Sequence, residues 1–507
     1  MKRLILSISL IIAVLAAASC SRPSATVKHI PDDAFMAVKI NPGTLVKQSG
    51  ITDNSELRTL LSASMSKKDF KIVEAILEDP SSTGIRLDDY MVLTSTSRCT
   101  VLLIPVADAG DFAAFLEKTE VEIYPGSKDI LYYIGDDDQD DVDGIIKKDL
   151  AVILVDDGSM SASALDYITK NENTIDGEAY KRFASTSEAL AFWLDGEELS
   201  SLAYERLGSG FGEISGMLSG SALYGSVEPG KGGIDFYLKP YVDKKALKRA
   251  GYDYDVDDFF AKGSDKYFKY MPSDPVLVFN GATRDFGHIV DVLPSELTSD
   301  LDYICEEFGI SRRKLEDVGG KMTAGLSING FELDYWGEPD FTPTLAFAIE
   351  CDEDIFESLA SAYLPDYGDA YFVGDDDFGL YLFAADGAVI GMTEDLYGRS
   401  RGSALPDNLS KKDFRKKVSS TGLTVNLSAP AIKDIFEEVF NKEGLPPSLT
   451  KELLRSLGLL DYASVELDLS DESLRGTIRS TEKNEYFLAT LLDCVLGAAK
   501  KAALTDF

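Results

Sequence analysis

The chain has 507 residues, 45% of them hydrophobic, and a formal net charge of -36. That composition belongs to a globular protein long enough for more than one domain, and it argues against disorder. The acidic excess repels nucleic-acid phosphates and anionic membrane faces, so nucleic acid is excluded as an expected partner.

The first element reads as an export signal. Lys2 and Arg3 precede the apolar run LILSISLIIAVLAAA, and Cys20 follows the small residues Ala17, Ala18 and Ser19. The run falls short of the roughly 20 residues of a membrane-spanning helix. The segment resembles a bacterial lipoprotein signal, although Ala17 stands where the usual pattern prefers Leu. The resemblance implies removal of residues 1–19, acylation of Cys20, a tether over residues 20–26 and a lipid bilayer as partner. Ser21 instead of Asp implies the outer membrane. SRPSAT carries no acidic cluster, which favours its periplasmic face over surface exposure. The competing reading is an ordinary cleaved signal with Cys20 incidental.

Beyond the tether, AFMAVKI, TVLLIPV, LAVILV and ALAFWL are short and rich in β-branched and aromatic residues, which predicts strands. SELRTLLSASM and DFKIVEAILE carry helical apolar spacing. Asp108 is placed as the N-cap of a helix over DFAAFLEK, and Asp352 takes that place later in the chain. YFVGDDDFGLYLFAADGAVIGMT predicts three antiparallel strands joined by two tight turns. A last helix is predicted from Asn484, with Phe487, Leu488, Leu491, Leu492, Val495 and Leu496 on one core-facing stripe.

These elements recur. HIPDDAFMAVKI matches YMPSDPVLVFNG, and TVLLIPVADAGDFAAFLE matches TLAFAIECDEDIFESLAS. YYIGDDD matches YFVGDDD, and SVEPGKGGIDFYLKP matches SVELDLSDESLRGTIRS. With the paired AVI runs, five matches keep one order at offsets between 237 and 244. The expectation is two tandem α+β copies of a mainly antiparallel sheet unit with packed helices, over 27–250 and 268–507, joined by a connecting segment over 251–267.

Site chemistry is sparse. There are two histidines, His29 and His288. No GxSxG elbow accompanies His288, and no HExxH or CxxC is present, which argues against a serine hydrolase and against zinc. EDVGGKMT lacks the first glycine and the Ser/Thr of a phosphate loop. Cys99, Cys305, Cys351 and Cys494 allow three pairings or buried free thiols.

Calcium is the sharpest ligand hypothesis, because YYIGDDDQDDVDG places six aspartates in eight positions. An EF-hand register with Gly144 as its glycine puts Gln139 and Leu150 at ligand positions, so it fails. A looser site would use Asp136, Asp138, Asp140 and Asp143. The matching YFVGDDDFG marks Gly followed by three Asp as a turn shared by both copies, and only QDDVD is added in the first.

The signal, HIPDDAFMAVKINPGTLVKQSGI and GIRLDDYMVLTSTSRCTVLLIPVADAGDFAAFLEK together resemble a family of envelope lipoproteins from Gram-negative anaerobes, catalogued as domain of unknown function 4836. The resemblance covers most of the mature chain and implies location and architecture. It carries over no catalytic residue. The expected function is therefore a lipid-anchored, non-enzymatic envelope protein that binds an envelope protein or glycan or plays a structural part. The alternatives are an envelope hydrolase acting on glycan or peptide through a carboxylate pair, and a calcium-stabilised adhesion or scaffold module. No cofactor other than calcium is indicated.

Overall fold

A computed structural model describes residues 24–505, apart from 136–139, 157–159, 171–173, 197–220, 250–259, 285–319, 334–338, 352, 375–378, 413, 419–422 and 444–446. The class is α+β, as the residue patterns predict. The chain divides into two compact units, Met1–Tyr252 with Glu482–Phe507, and Asp253–Thr481.

Among the described residues, unit 1 has ten strands: β1 (Ala34–Ile40), β2 (Met91–Thr96), β3 (Thr100–Pro105), β4 (Ile123–Pro125), β5 (Tyr132–Gly135), β6 (Val142–Ile146), β7 (Leu150–Leu154), β8 (Leu190–Asp195), β9 (Ala222–Gly230) and β10 (Gly233–Tyr241). Their order in the sheet is β4-β5-β6-β7-β3-β2-β1-β8-β9-β10, with every pair antiparallel. The helices are α1 (Pro42–Ser49), α2 (Ser55–Ser64), α3 (Lys67–Glu78), α4 (Ala109–Lys118), α5 (Ala162–Lys170), α6 (Glu178–Ser185) and α7 (Lys244–Arg249). Asp108 caps α4 as expected, its Oδ1 accepting from the Asp111 amide at 3.0 Å. Its expected counterpart Asp352 lies outside the described residues.

Antiparallel sheets often leave one face wet, and their strands then alternate apolar with polar. Strand β3 reads TVLLIP instead, and the structure supplies the reason. Val101 and Leu103 pack with Leu165, Tyr180 and Phe183 of α5 and α6. Leu102 and Ile104 pack on the opposite face with Ile76, Phe112 and Leu116 of α3 and α4. Each such fully buried aliphatic side chain contributes about 1.5–3 kcal/mol.

Unit 2 contains β11 (Phe260–Ala261), β12 (Leu277–Thr283), β13 (Gly320–Leu333), β14 (Pro339–Glu350), β15 (Tyr371–Gly374), β16 (Gly379–Ala385), β17 (Ala388–Thr393), β18 (Leu423–Ser428), β19 (Leu460–Asp468) and β20 (Ser473–Ser480). Nine of these follow the order β15-β16-β17-β14-β13-β12-β18-β19-β20. Strand for strand, this is the order β5-β6-β7-β3-β2-β1-β8-β9-β10 of unit 1. The expected meander is present, and its second turn has Asp386 at φ 54° and Gly387 at φ 71°. Both left-handed values define a type I′ hairpin, for which Asp-Gly is a preferred pair. The EDVGGKMT stretch runs into β13. Unit 2 also carries α8 (Glu353–Tyr363), α9 (Glu394–Ser400), α10 (Arg415–Val418), α11 (Ala429–Glu443) and α12 (Pro447–Leu457).

The last helix, α13 (Phe487–Thr505), starts three residues after the expected Asn484 and joins unit 1, not the second copy to which 268–507 was assigned. Three contacts explain why. The Gly232 amide donates to Glu485 O at 2.8 Å, Lys231 bridges to Tyr486, and Asn54 Nδ2 donates to Asp493 Oδ1 at 2.9 Å. Asn54 also caps α2 through its Oδ1. The expected stripe is only partly inward. Phe487, Cys494 and Leu496 are buried, whereas Leu491 and Val495 are 47% and 57% exposed.

Candidate functional site: an acidic, aromatic-walled cavity in unit 1

Helix α6 organises the most developed side-chain chemistry. Its core face is Ala179, Tyr180 and Phe183. Its C-terminal carbonyls would be orphaned in an apolar interior. Lys39, on the central strand β1 and fully buried, supplies the missing donor. Its Nζ donates to Thr186 O at 2.7 Å and to Ala184 O at 3.4 Å. The ammonium also stands 4.7 Å from the Tyr90 ring centroid and 5.3 Å from that of Phe183. Burial pulls the Lys39 pKa down to about 8, partly opposed by the nearby charges of Glu188 and Asp89. Close by in this network, burial pushes the Glu228 carboxyl up, although it accepts from the Ala189 amide at 2.6 Å.

The N-terminal end of α6 opens onto a cavity of about 440 Å³. Gly177, at φ 116°, turns the chain into the helix there. Among the described residues, the walls come from α6 (Glu178, Tyr180), from the end of β8 (Trp193, Asp195), and from the end of β10 and just beyond (Tyr241, Asp243). Antiparallel pairing of β8 with β9 and β9 with β10 brings these three chain segments to one end of the sheet.

Trp193 is 3% exposed and meets Tyr180 edge-to-face, with centroids 5.1 Å apart at 81°. Its side chain lines the cavity.

The ionisable side chains of the lining are acidic. Four carboxylates line the cavity, those of Asp176, Glu178, Asp195 and Asp243, with no Lys, Arg or His among the described lining residues. The two cations of α6 meet this lining from outside it, Lys181 at Asp176 and Arg182 at Tyr241. Lys181 Nζ pairs with Asp176 at 2.6 Å, and its hydrogen bond holds the Asp176 carboxyl below the usual carboxylate range. Arg182 lies over Tyr237 at 4.3 Å and donates to the Tyr237 hydroxyl at 3.0 Å.

None of the residues singled out from sequence is among the described lining residues of this cavity. Cys20, Asp136, Asp138, Cys305 and His288 fall outside the described residues. Asp140 is exposed and Asp143 half-buried at the start of β6, and no group of three or more metal-ligating side chains occurs among the described residues. Gly135 sits at φ 106°, where an added Cβ would lie 2.9 Å from Asp143 Oδ2, so the glycine of the GDDD turn answers to backbone geometry and space. Cys99 and Cys494 are buried free thiols, which removes every scheme that pairs all four cysteines. His29 is half-buried, with Nδ1 3.0 Å from Thr169 O.

Sequence reading placed Trp193 in a strand and stopped there. Its one available signal was a rare residue two positions before Asp195. Nothing local links either residue to Tyr241 or Asp243.

No protein-family model matches the chain, and no curated protein matches it. Among solved structures, crystal form I of TP0453 is similar at 9% identity, covering 48% of this chain and 88% of that one with a TM-score of 0.27. Crystal form IV of TP0453 matches at 11% identity, 44% and 81% coverage and the same TM-score of 0.27. Likeness at that level carries no argument about fold or function.

Proposed function

We propose that this chain is a lipid-anchored protein of the cell envelope with a binding role, held to the outer membrane through an acylated Cys20 and facing the periplasm. The signal-like N-terminus supports the anchor, and the resemblance to the envelope lipoprotein family supports the location. The matched segments and the common strand order of the two units support descent by tandem duplication.

The observation that carries the binding role is the aromatic-walled cavity at the N-terminal end of α6. A glycosidase acting there would need one carboxylic acid held protonated as the general acid. The Lys181 hydrogen bond holds the Asp176 carboxyl toward its charged form, which does not suit it to that part. The arrangement suits holding a ligand better than cleaving one.

Two measurements test the reading. Mass spectrometry of membrane-extracted protein should find acyl chains on Cys20; an unmodified N-terminus at Cys20 or Ser21 refutes the anchor. Co-purification of the intact lipoprotein should recover a ligand or envelope partner whose retention drops in a Trp193→Ala variant. The calcium alternative is tested by thermal melts with millimolar calcium and with chelator, which should give the same midpoint if the acidic turn is only a turn.

A further inference from the structure

The short lead from Cys20 into the folded chain limits which surface of unit 1 can meet the bilayer. Resting on the acylated Cys20 proposed above, we infer that this surface is the layer made by α5 and the turn over Thr26–His29, with Tyr167 seated among the lipid headgroups.

Docking of the chain begins inside the expected tether of 20–26. Ser24 Oγ donates to Asp89 Oδ1 at 2.7 Å, and Thr26 and Val27 are buried. Ser24 is four residue steps from Cys20. Covalent geometry lets those steps span at most about 14 Å. Acyl chains on Cys20 therefore hold Ser24 about that close to the lipid headgroups. The chain after Ser24 runs beside α5. Val27 and Ile30 pack with Leu165 and Ile168, and His29 Nδ1 is 3.0 Å from Thr169 O. Helix α3 packs on the opposite face of the sheet, through Ile76.

Two properties of the layer suit a lipid surface. Tyr167 is 64% exposed on α5, while Leu165, Ile168 and Thr169 around it are buried. An exposed tyrosine joins an apolar ring to a polar tip, the combination favoured where hydrocarbon gives way to water. Charge is the second property. An anionic bilayer repels the acidic excess of the whole chain, yet the carboxylates of this layer are met within it. Asp33 pairs with Arg98 at 2.6 Å and Asp166 with Lys147 at 2.8 Å, and Asp32 Oδ1 accepts from the Thr174 amide at 2.6 Å. Lys28 and Lys170 are exposed on the same layer, where lipid phosphates would attract them.

The test uses the full-length lipoprotein with vesicles of phosphatidylethanolamine and phosphatidylglycerol, prepared with and without a lipid carrying a nitroxide on its headgroup. Tyr167→Trp places a fluorescent reporter on the layer. Ala75→Trp places one at an exposed position of α3, on the opposite face. Each is read against the parent chain, so that the emission of Trp193 and Trp336 cancels. Melting midpoints equal to the parent's show that the fold is kept; should Tyr167→Trp lower its midpoint, Lys170→Trp, one turn further along α5, takes its place. Flotation with the vesicles reports the anchor, and nitroxide quenching reports the face.

The expected result is flotation of all three proteins, with a larger loss of emission from Tyr167→Trp than from Ala75→Trp. Flotation with equal losses, or with the larger loss from Ala75→Trp, overturns the proposed face and leaves the anchor standing. Failure of the parent to float overturns both.

Discussion

The ammonium of Lys39 lies 2.7 Å from the carbonyl oxygen of Thr186, so a fully buried lysine on the central strand closes the C-terminal end of helix α6. The same helix borders the cavity at its other end. A helix whose far end is fixed in this way holds Glu178 and Tyr180 in place at the cavity. At the matching place in unit 2, Asn280 is also buried, and its Oδ1 accepts from Thr323 at 3.0 Å. The central strand thus keeps a polar contact in both units and a charged one in unit 1.

Lys39 makes stability depend on alkaline pH. Its folded pKa of about 8 lies below its ordinary 10.5, so the unfolded chain binds the proton more tightly. Below about pH 8 the buried charge costs the fold on the order of 3 kcal/mol, and that cost lifts as pH rises toward 10.5. Lys39→Met should lack this rise. Urea unfolding at pH 7.5 and pH 10, wild type against variant, reads the difference; parallel changes in the two proteins would contradict it.

His29 acts on the acid side. Burial, its largest influence, lowers its pKa, with the Thr169 carbonyl opposing. The unfolded chain therefore takes up the proton first, and the stability tied to neutral His29 is full above pH 6.5 and lost as pH falls below it. His29→Gln should show a smaller drop in melting temperature between pH 7.5 and 5.5 than wild type. A drop of the same size in both would show that the ring is not responsible.

Asp386 combines two tasks in unit 2. It occupies a left-handed turn position at φ 54°, pairs with Lys269 at 2.5 Å, and accepts from the Tyr270 hydroxyl. Asp386→Ala should cost roughly 2–3 kcal/mol, because it adds backbone strain and removes the acceptor. Asp386→Asn keeps both the tolerance for this conformation and an oxygen, so it should cost about 1 kcal/mol less. Denaturant midpoints of the two variants decide; equal losses would leave only the charge as the cause.

Gly135 and Gly177 separate strain from space. Both have positive φ, 106° and 116°. An added Cβ at Gly135 meets Asp143 Oδ2 at 2.9 Å, whereas at Gly177 it meets nothing within 4 Å. Gly135→Ala should therefore destabilise by more than Gly177→Ala, which bears backbone strain of about 1–2 kcal/mol alone. Equal melting temperatures of the two variants would contradict the steric account.

Much of the fold could be read from residue patterns. AFMAVKI is β1 from Ala34 to Ile40, SELRTLLSAS is α2, and Asp108 caps α4. Such signals are local. Alternation, helical spacing and a capping oxygen each act within a few residues. The site was not legible, because its parts are distant in sequence. Tyr180, Trp193 and Tyr241 come from a helix and two strands that meet at one end of the sheet. The acidic run drew attention by its density, yet the glycine of its turn answers to geometry.

The sequence by itself determined the elements, the α+β class, the antiparallel meander with its Asp-Gly turn, and the features that point to export. The tertiary structure alone decided that α13 belongs to unit 1, that Lys39 is buried beneath the end of α6, and that a cavity forms at the other end. The physical reason is separation along the chain: Lys39 and Thr186 are 147 residues apart, and Asn54 and Asp493 are 439 apart. Periodicity reveals that a face will be buried, and only the packed sheet settles which distant groups it is buried against.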